Sequence, residues 1–354
     1  MKVRRIVTFL RDLAVSATVA LGLLVVAEVA LRASDSSVRE LVNVEETSGA
    51  LEDNVLGYRY RPNVTVRHRT HEFDVEYCIN ANAMRDATVE RADRGDPRHI
   101  LVLGDSFTFG AGNKYDDIWP VIMEQRLRES GHNIDVINAG VEGYDTRSEA
   151  LYLERLFDDV SPDIVLIGFL PNDIFTNRPL DAEPARSSRL HERSRGILPL
   201  RTVALAKRII LSSDAAYARV YLMTAREEYF TLPMNEHVAR QFALTEDLLA
   251  ATSAACREKG VLFCVVSIPQ QFQVIERSGG FQHGGVNVDF IDERLSARAK
   301  ADGYPWIELL PILTEHYSAE GAHLFYRIDG HLNALGNRIV GEHAAVEVSR
   351  LLSP

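Results

Sequence analysis

Ile100-Leu-Val-Leu-Gly-Asp-Ser-Phe-Thr-Phe-Gly110 decides the fold. Four branched or apolar residues in a row have the length and composition of a fully buried parallel strand, and the glycines at 104 and 110 free the backbone on either side of a polar Asp105-Ser106 pair. A serine at the carboxyl end of such a strand lies where ligands bind in open α/β sheets. A hydroxyl is a poor nucleophile at neutral pH, so Ser106 needs a base within hydrogen-bond reach and donors for the oxyanion it creates.

Working outward, the chain offers candidates for each part. Arg327-Ile-Asp-Gly-His-Leu-Asn-Ala-Leu-Gly-Asn337 sets Asp329 and His331 two residues apart before an apolar, helix-like tail, which suits a base and its orienting carboxylate. Val136-Ile-Asn-Ala-Gly-Val-Glu-Gly-Tyr144 and Asp163-Ile-Val-Leu-Ile-Gly-Phe-Leu-Pro-Asn-Asp173 are short strands running into turns that carry Gly140 and Asn172. Each residue also has a plainer reading. Gly140 can serve only its turn, Asn172 can cap the following helix, and Asp329 can cap a turn. Asp105 is expected to brace the turn rather than do chemistry.

These segments, in this order, resemble the blocks of the SGNH, or GDSL-like, hydrolase family over roughly residues 55 to 350. The lead-in Leu56-Gly-Tyr-Arg-Tyr-Arg-Pro62 and Asn80-Ala-Asn-Ala-Met-Arg-Asp86 is similar to that of membrane-anchored bacterial members. The resemblance implies Ser106 as nucleophile, His331 as general base and Asp329 as its carboxylate. It also implies an oxyanion hole made of the Ser106 and Gly140 N–H groups and the Asn172 side chain. Two positions depart from the family pattern: only Gly330 separates Asp329 from His331, and Leu170-Pro171 stands where a glycine is usual before Asn172.

Alternating strand and helix patterns predict a parallel, doubly wound, flavodoxin-like sheet of five strands. Its strands are expected near His99–Leu103, Ile134–Asn138, Ile164–Phe169, Val261–Ile268 and Trp306–Leu309. Helices are expected near Trp119–Ser130, Thr146–Val160, Val238–Lys259, Val288–Asp302 and Ala334–Leu352. Residues 176–235 break the pattern with an arginine-rich loop and an amphipathic stretch, Val203–Tyr229. Directly after Asn172, this insertion is expected to hang over the site as a lid, or else to pack as a peripheral helix on the sheet edge. The implied organisation is a tail and anchor over 1–33, a lead-in over 34–98 and the catalytic domain over 99–354.

Leu13–Leu31 is a 19-residue stretch with one charge, Glu28, close to the length that crosses a hydrocarbon core. Lys2, Arg4, Arg5 and Arg11 precede it, so the tail is expected inside and the rest outside: a single-pass inner-membrane protein with an extracytoplasmic, periplasmic catalytic domain. A cleaved signal peptide is the rival reading. Beyond residue 33 the chain carries 34 basic and 48 acidic residues, a net of −14, which argues against nucleic acid or anionic lipid as the main partner of that part.

Three cysteines, Cys78, Cys256 and Cys264, make no disulfide framework, and at least one is free. No Cys/His spacing suits zinc, His283 is expected in a glycine loop, and no cofactor is expected. The chemistry implied is acyl transfer through an acyl-serine. Water as the resolving group makes an esterase that removes O-acyl, foremost acetyl, groups from an extracytoplasmic carbohydrate. A sugar hydroxyl makes an O-acyltransferase working with polysaccharide machinery of the envelope. A membrane-anchored scaffold that lost turnover is the alternative from another class.

Overall fold

The computed structural model describes residues 2–33, 45–46, 49–70, 72–86, 97–183, 201–211, 213–320 and 323–352. The arginine-rich part of the insertion, 184–200, lies outside the described residues. The chain opens with helix α1 (Lys2–Ala33), 32 residues long, over the expected anchor. Of its side chains at 2–10, 12–14 and 17 nothing is described. Among the described residues no helix is long and apolar enough to cross a membrane, so the expected membrane-spanning helix is not found there.

An arm of five short antiparallel strands follows: β1 (Glu45–Glu46), β2 (Ala50–Asp53), β3 (Gly57–Tyr60), β4 (Val64–Arg69) and β5 (Asp74–Ile79). β2 pairs with β3, and β1, β4 and β5 form a sheet in that order. Val75, Tyr77 and Ile79 of β5 point inward while the residues between them face solvent, the period of a half-buried strand.

The central sheet comes next. β6 (Arg98–Gly104) ends in a single helical turn, α2 (Ser106–Phe109), and then helix α3 (Trp119–Glu129), β7 (Ile134–Asn138), α4 (Thr146–Val160) and β8 (Ile164–Phe169). A short α5 (Asp173–Thr176) leads to the insertion, of which α6 (Arg201–Leu211) and α7 (Asp214–Tyr221) are described. Leu222–Arg226 continues α7 as a π turn and Glu227–Phe230 as a 3-10 turn. After it come α8 (Glu236–Glu258), β9 (Leu262–Ser267), α9 (Gln271–Arg277), α10 (Phe290–Asp302), β10 (Trp306–Glu308), α11 (Leu310–Glu320) and α12 (Ala334–Leu352).

The five strands run parallel in the order β10-β9-β8-β6-β7, as expected. From β6 the chain steps to β7 on one side and then returns to β8 on the other. Right-handed crossovers therefore put α3 and α4 on opposite faces, where they pack against α12 and α8 respectively. The strand order reverses at β6, so the crevice beyond its carboxyl end is the sheet's natural ligand site. Ile100, Leu101, Val102 and Leu103 are wholly buried because both faces of β6 are covered.

Candidate active site

The turn after β6 is built by Asp105, whose carboxylate accepts the Phe107 N–H at 2.8 Å and so caps α2. Asp105 braces the turn, as expected, and its burial pushes its carboxyl up to about 6. Ser106 opens the helical turn with its side chain 9% exposed. At the other end of the domain Asn333 caps α12, accepting from Leu335 N and Gly336 N. The turn before it is closed by Gly330 N–H to Tyr326 O and Tyr326 N–H to His331 O, both 2.8 Å. Gly330 has φ +88°, a conformation costly for any residue with a Cβ. That left-handed residue lets the chain fold back so tightly that His331 Nδ1 meets Asp329 Oδ1 across one intervening residue. The shortened Asp-Gly-His spacing thus keeps the carboxylate–imidazole contact.

His331 Nε2 lies 2.7 Å from Ser106 Oγ. Asp329 can only accept, so the imidazole proton sits on Nδ1 and Nε2 is left to accept from the serine hydroxyl. Burial pulls the His331 pKa down, but the hydrogen bond and charge of Asp329 outweigh it and the net shift is upward. Burial pushes Asp329 up, and the imidazole partner more than reverses this, holding it below the usual carboxylate range.

The two other expected donors lie at the same strand edge. Gly140 approaches the serine turn so closely that a Cβ there would stand 2.5 Å from Phe109 N and 2.8 Å from Thr108 C. Its own N–H donates to Asn138 Oδ1 at 3.0 Å, so an oxyanion would share that donor. Asn172 makes no side-chain cap to α5, which removes the capping reading. Its side chain instead faces the Asp105 carboxylate, whose pKa it helps to lower, and its Oδ1 is buried without a partner among the described residues. Behind Asn172, Glu149 and Asp173 are buried together, and burial holds both carboxyls well above the usual range.

Sequence reasoning missed the residues that hold this assembly. The wholly buried Arg85 donates to Phe109 O, Gly110 O and Asn113 O, gripping the end of the serine turn. Its guanidinium lies over the rings of Tyr77 and Phe109, 4.5 and 5.0 Å from their centroids. Glu72 of the arm accepts from Ile328 N and Asp329 N at 3.2 and 2.8 Å, fixing the acid's loop. Asn113 ties the two ends together through Leu332 O at 2.8 Å. The one visible signal was that Arg85 stands in the lead-in motif Asn80–Asp86.

Of the insertion, α7 carries the Tyr217 hydroxyl to 3.4 Å from the Cβ position of Gly330, so this part reaches the loop between Asp329 and His331. α6 packs on α1 instead. The cysteines are all free, with Cys256 and Cys264 buried and Cys78 exposed. His283, in its glycine loop, meets Glu227 at 3.2 Å. Among the described residues no group of His, Cys, Asp and Glu could hold a metal ion.

A parallel α/β sheet with a serine, a histidine and an aspartate in hydrogen-bonded series at its switch point defines the class of serine acylhydrolases, enzymes acting on ester bonds. The model of the GDSL-like lipase/acylhydrolase family matches residues 102–339. The chain belongs to that family. An arylesterase of Vibrio mimicus is 36% identical over 74 residues, 21% of this chain and 37% of the arylesterase, so the chain spans about a third of that relative's length. Among solved structures, TesA covers 71% of this chain and 99% of its own, with 15% identity and a TM-score of 0.42. The acetyl xylan esterase AlAXEase covers 71% and 99%, at 15% and 0.45. The esterase EstA from Pseudoalteromonas sp. covers 72% and 98%, at 11% and 0.44.

Proposed function

We propose that the protein is a serine esterase that works through an acyl-Ser106 intermediate and removes O-acyl, foremost acetyl, groups from an extracytoplasmic carbohydrate. The observation that carries this reading is the 2.7 Å contact of Ser106 Oγ with a His331 whose other nitrogen is held by Asp329. His331 takes the serine proton as Oγ attacks the ester carbonyl, then returns it to the departing alcohol. The tetrahedral oxyanion is met by the Ser106 and Gly140 N–H groups and by the Asn172 amide, which turns from Asp105 toward the new charge. Water, activated by the same imidazole, then releases the acid.

The membrane tether belongs to the same proposal. Leu13–Leu31 falls entirely within α1, basic residues crowd its amino-terminal side, and the catalytic part would lie outside the inner membrane. The acidic balance of that part favours a neutral substrate such as an acylated glycan over a polyanion.

The test is labelling of the full-length protein by a fluorophosphonate together with hydrolysis of p-nitrophenyl acetate and of acetylated glycans, with and without an acceptor sugar. Label on Ser106 and release of acetate support the reading. Acetate moved only onto the added sugar makes it a transferase, and neither label nor turnover makes it a scaffold.

A further inference from the structure

Between Arg201 and Arg226 the sequence carries five basic residues, Arg201, Lys207, Arg208, Arg219 and Arg226, against one acid, Asp214, in a chain of net charge −11. This basic island coincides with an apolar surface. On α6, Val203, Ile209 and Ile210 are 60, 63 and 47% exposed, and Ala206 between them is exposed too. At 100° per residue these four fall on one face. Arg208 is exposed on the opposite face. Just downstream, Val220 and Met223 are 42 and 85% exposed, with Arg219 exposed at their side. Leaving so many large apolar groups in water is uncommon in a soluble surface and marks a contact face.

A second observation says what covers it. α6 is fastened to the far end of α1: Glu28 accepts from Arg201 N at 3.1 Å, Thr202 N at 2.9 Å and Thr202 Oγ1 at 3.1 Å. Arg201 donates to Leu31 O at 2.6 Å, and Arg32 pairs with Glu28 at 2.6 Å. The one charge in the 19-residue apolar stretch is therefore the clamp that starts α6. Val15, Val19, Leu21, Leu23, Leu24, Val25, Val26 and Val29 of α1 are each more than half exposed, so α1 is bare and apolar on all sides up to the clamp from which α6 starts.

We propose that α6 lies in the surface of an anionic phospholipid bilayer, with Val203, Ile209 and Ile210 in the acyl boundary, Arg219 among the headgroup phosphates and Arg208 on the face turned to water. This rests on reading α1 as the membrane anchor. The basic island supplies the electrostatic attraction and the stripe the buried apolar area that interfacial helices need. Because α7 follows α6 and brings Tyr217 to Gly330, the seated helix would hold the catalytic opening close above the membrane surface.

The test uses the full chain carrying Cys78→Ser, with the buried Cys256 and Cys264 left in place, reconstituted in phosphatidylcholine–phosphatidylglycerol vesicles. An environment-sensitive fluorophore is placed on Ile209→Cys or, separately, on Leu21→Cys, and nitroxide-bearing lipids are added. Loss of fluorescence at both sites is expected, with headgroup-level nitroxides acting most strongly at 209. Quenching at 21 without quenching at 209 would overturn the seating of α6 while leaving the anchor intact. No quenching at either position would overturn both.

Discussion

Gly140→Ala tests whether the close approach of the β7 turn sets the position of the nucleophile. The added methyl would stand 2.5 Å from the Phe109 amide nitrogen and 2.8 Å from Thr108 C, where ordinary contacts begin at 3.4 Å. Both neighbours are backbone, so neither can rotate away. Relief requires a displacement of about 0.9 Å, the difference between 3.4 and 2.5 Å, in a turn whose first residue is Ser106. Arg85 grips the same turn by Phe109 O and Gly110 O at 2.7 and 2.8 Å, so the yielding is forced toward the serine side or onto Gly140 itself. Overpacking of this size costs about 1 to 3 kcal/mol of stability. A misplacement of the reacting atom by about 1 Å costs on the order of 10²-fold in rate. The assay is kcat for p-nitrophenyl acetate beside the thermal midpoint of the same preparation. A variant within twofold of the parent rate and with an unchanged midpoint would refute the reasoning, because it would mean that the two turns are not in mutual contact control.

Ser106→Ala and His331→Ala should each lower kcat by roughly 10³-fold or more, with little further loss in the double variant, as groups acting as one unit do; full additivity of the measured rates would contradict the assignment. Asn172→Ala should lower kcat by about 10²- to 10³-fold with KM nearly unchanged, since its amide is aimed at charge present only after attack. A lowered midpoint with normal kcat would instead mark it as structural. His331 must be neutral to act as a base, and its pKa is raised, so kcat/KM should climb with pH through a limb above the ordinary histidine range. Asp329→Asn removes the upward push while burial stays, so the limb should move to lower pH as the rate falls; a limb that does not move breaks the link to Asp329. Glu149 and Asp173 have folded-state pKa values raised by burial, so the unfolded chain loses their protons first and stability falls as pH rises above the ordinary carboxylate range. The midpoint of Glu149→Gln, followed by differential scanning calorimetry, should therefore fall less steeply than that of the parent as pH rises above the ordinary carboxylate range.

The central sheet was legible because its strands are branched apolar runs closed by polar turns, a pattern that only a strand covered on both faces produces. Ser106, Asp329 and His331 were legible through the motifs around them. Why Asp-Gly-His keeps the contact was not, because it depends on the left-handed Gly330. The arm was read as a lead-in packing on the catalytic domain, without its strands, because these are two to six residues long and only β5 shows clean alternation. The tie from Glu72 to Asp329 joins residues 257 apart, and no local pattern encodes it. Val203–Tyr229 was read as one amphipathic stretch, but Ser213 separates α6 from α7 and a π turn follows, so its two halves face different surroundings. The partner of Glu28 was likewise invisible, lying 173 residues away.

Ser106 and His331 stand 225 residues apart. The ties from Arg85 and Glu72 make the arm a jig in which both halves of the reaction centre are set. The sheet does not depend on these ties for its own hydrogen bonds, whereas the 2.7 Å spacing of serine and imidazole does depend on the loops they fix. Cutting either tie is therefore expected to slow the reaction while the five parallel strands keep their hydrogen bonds. The family-matched stretch begins at residue 102, downstream of the whole arm. The reaction centre of this chain is thus set in part by residues that lie outside the stretch it shares with its family.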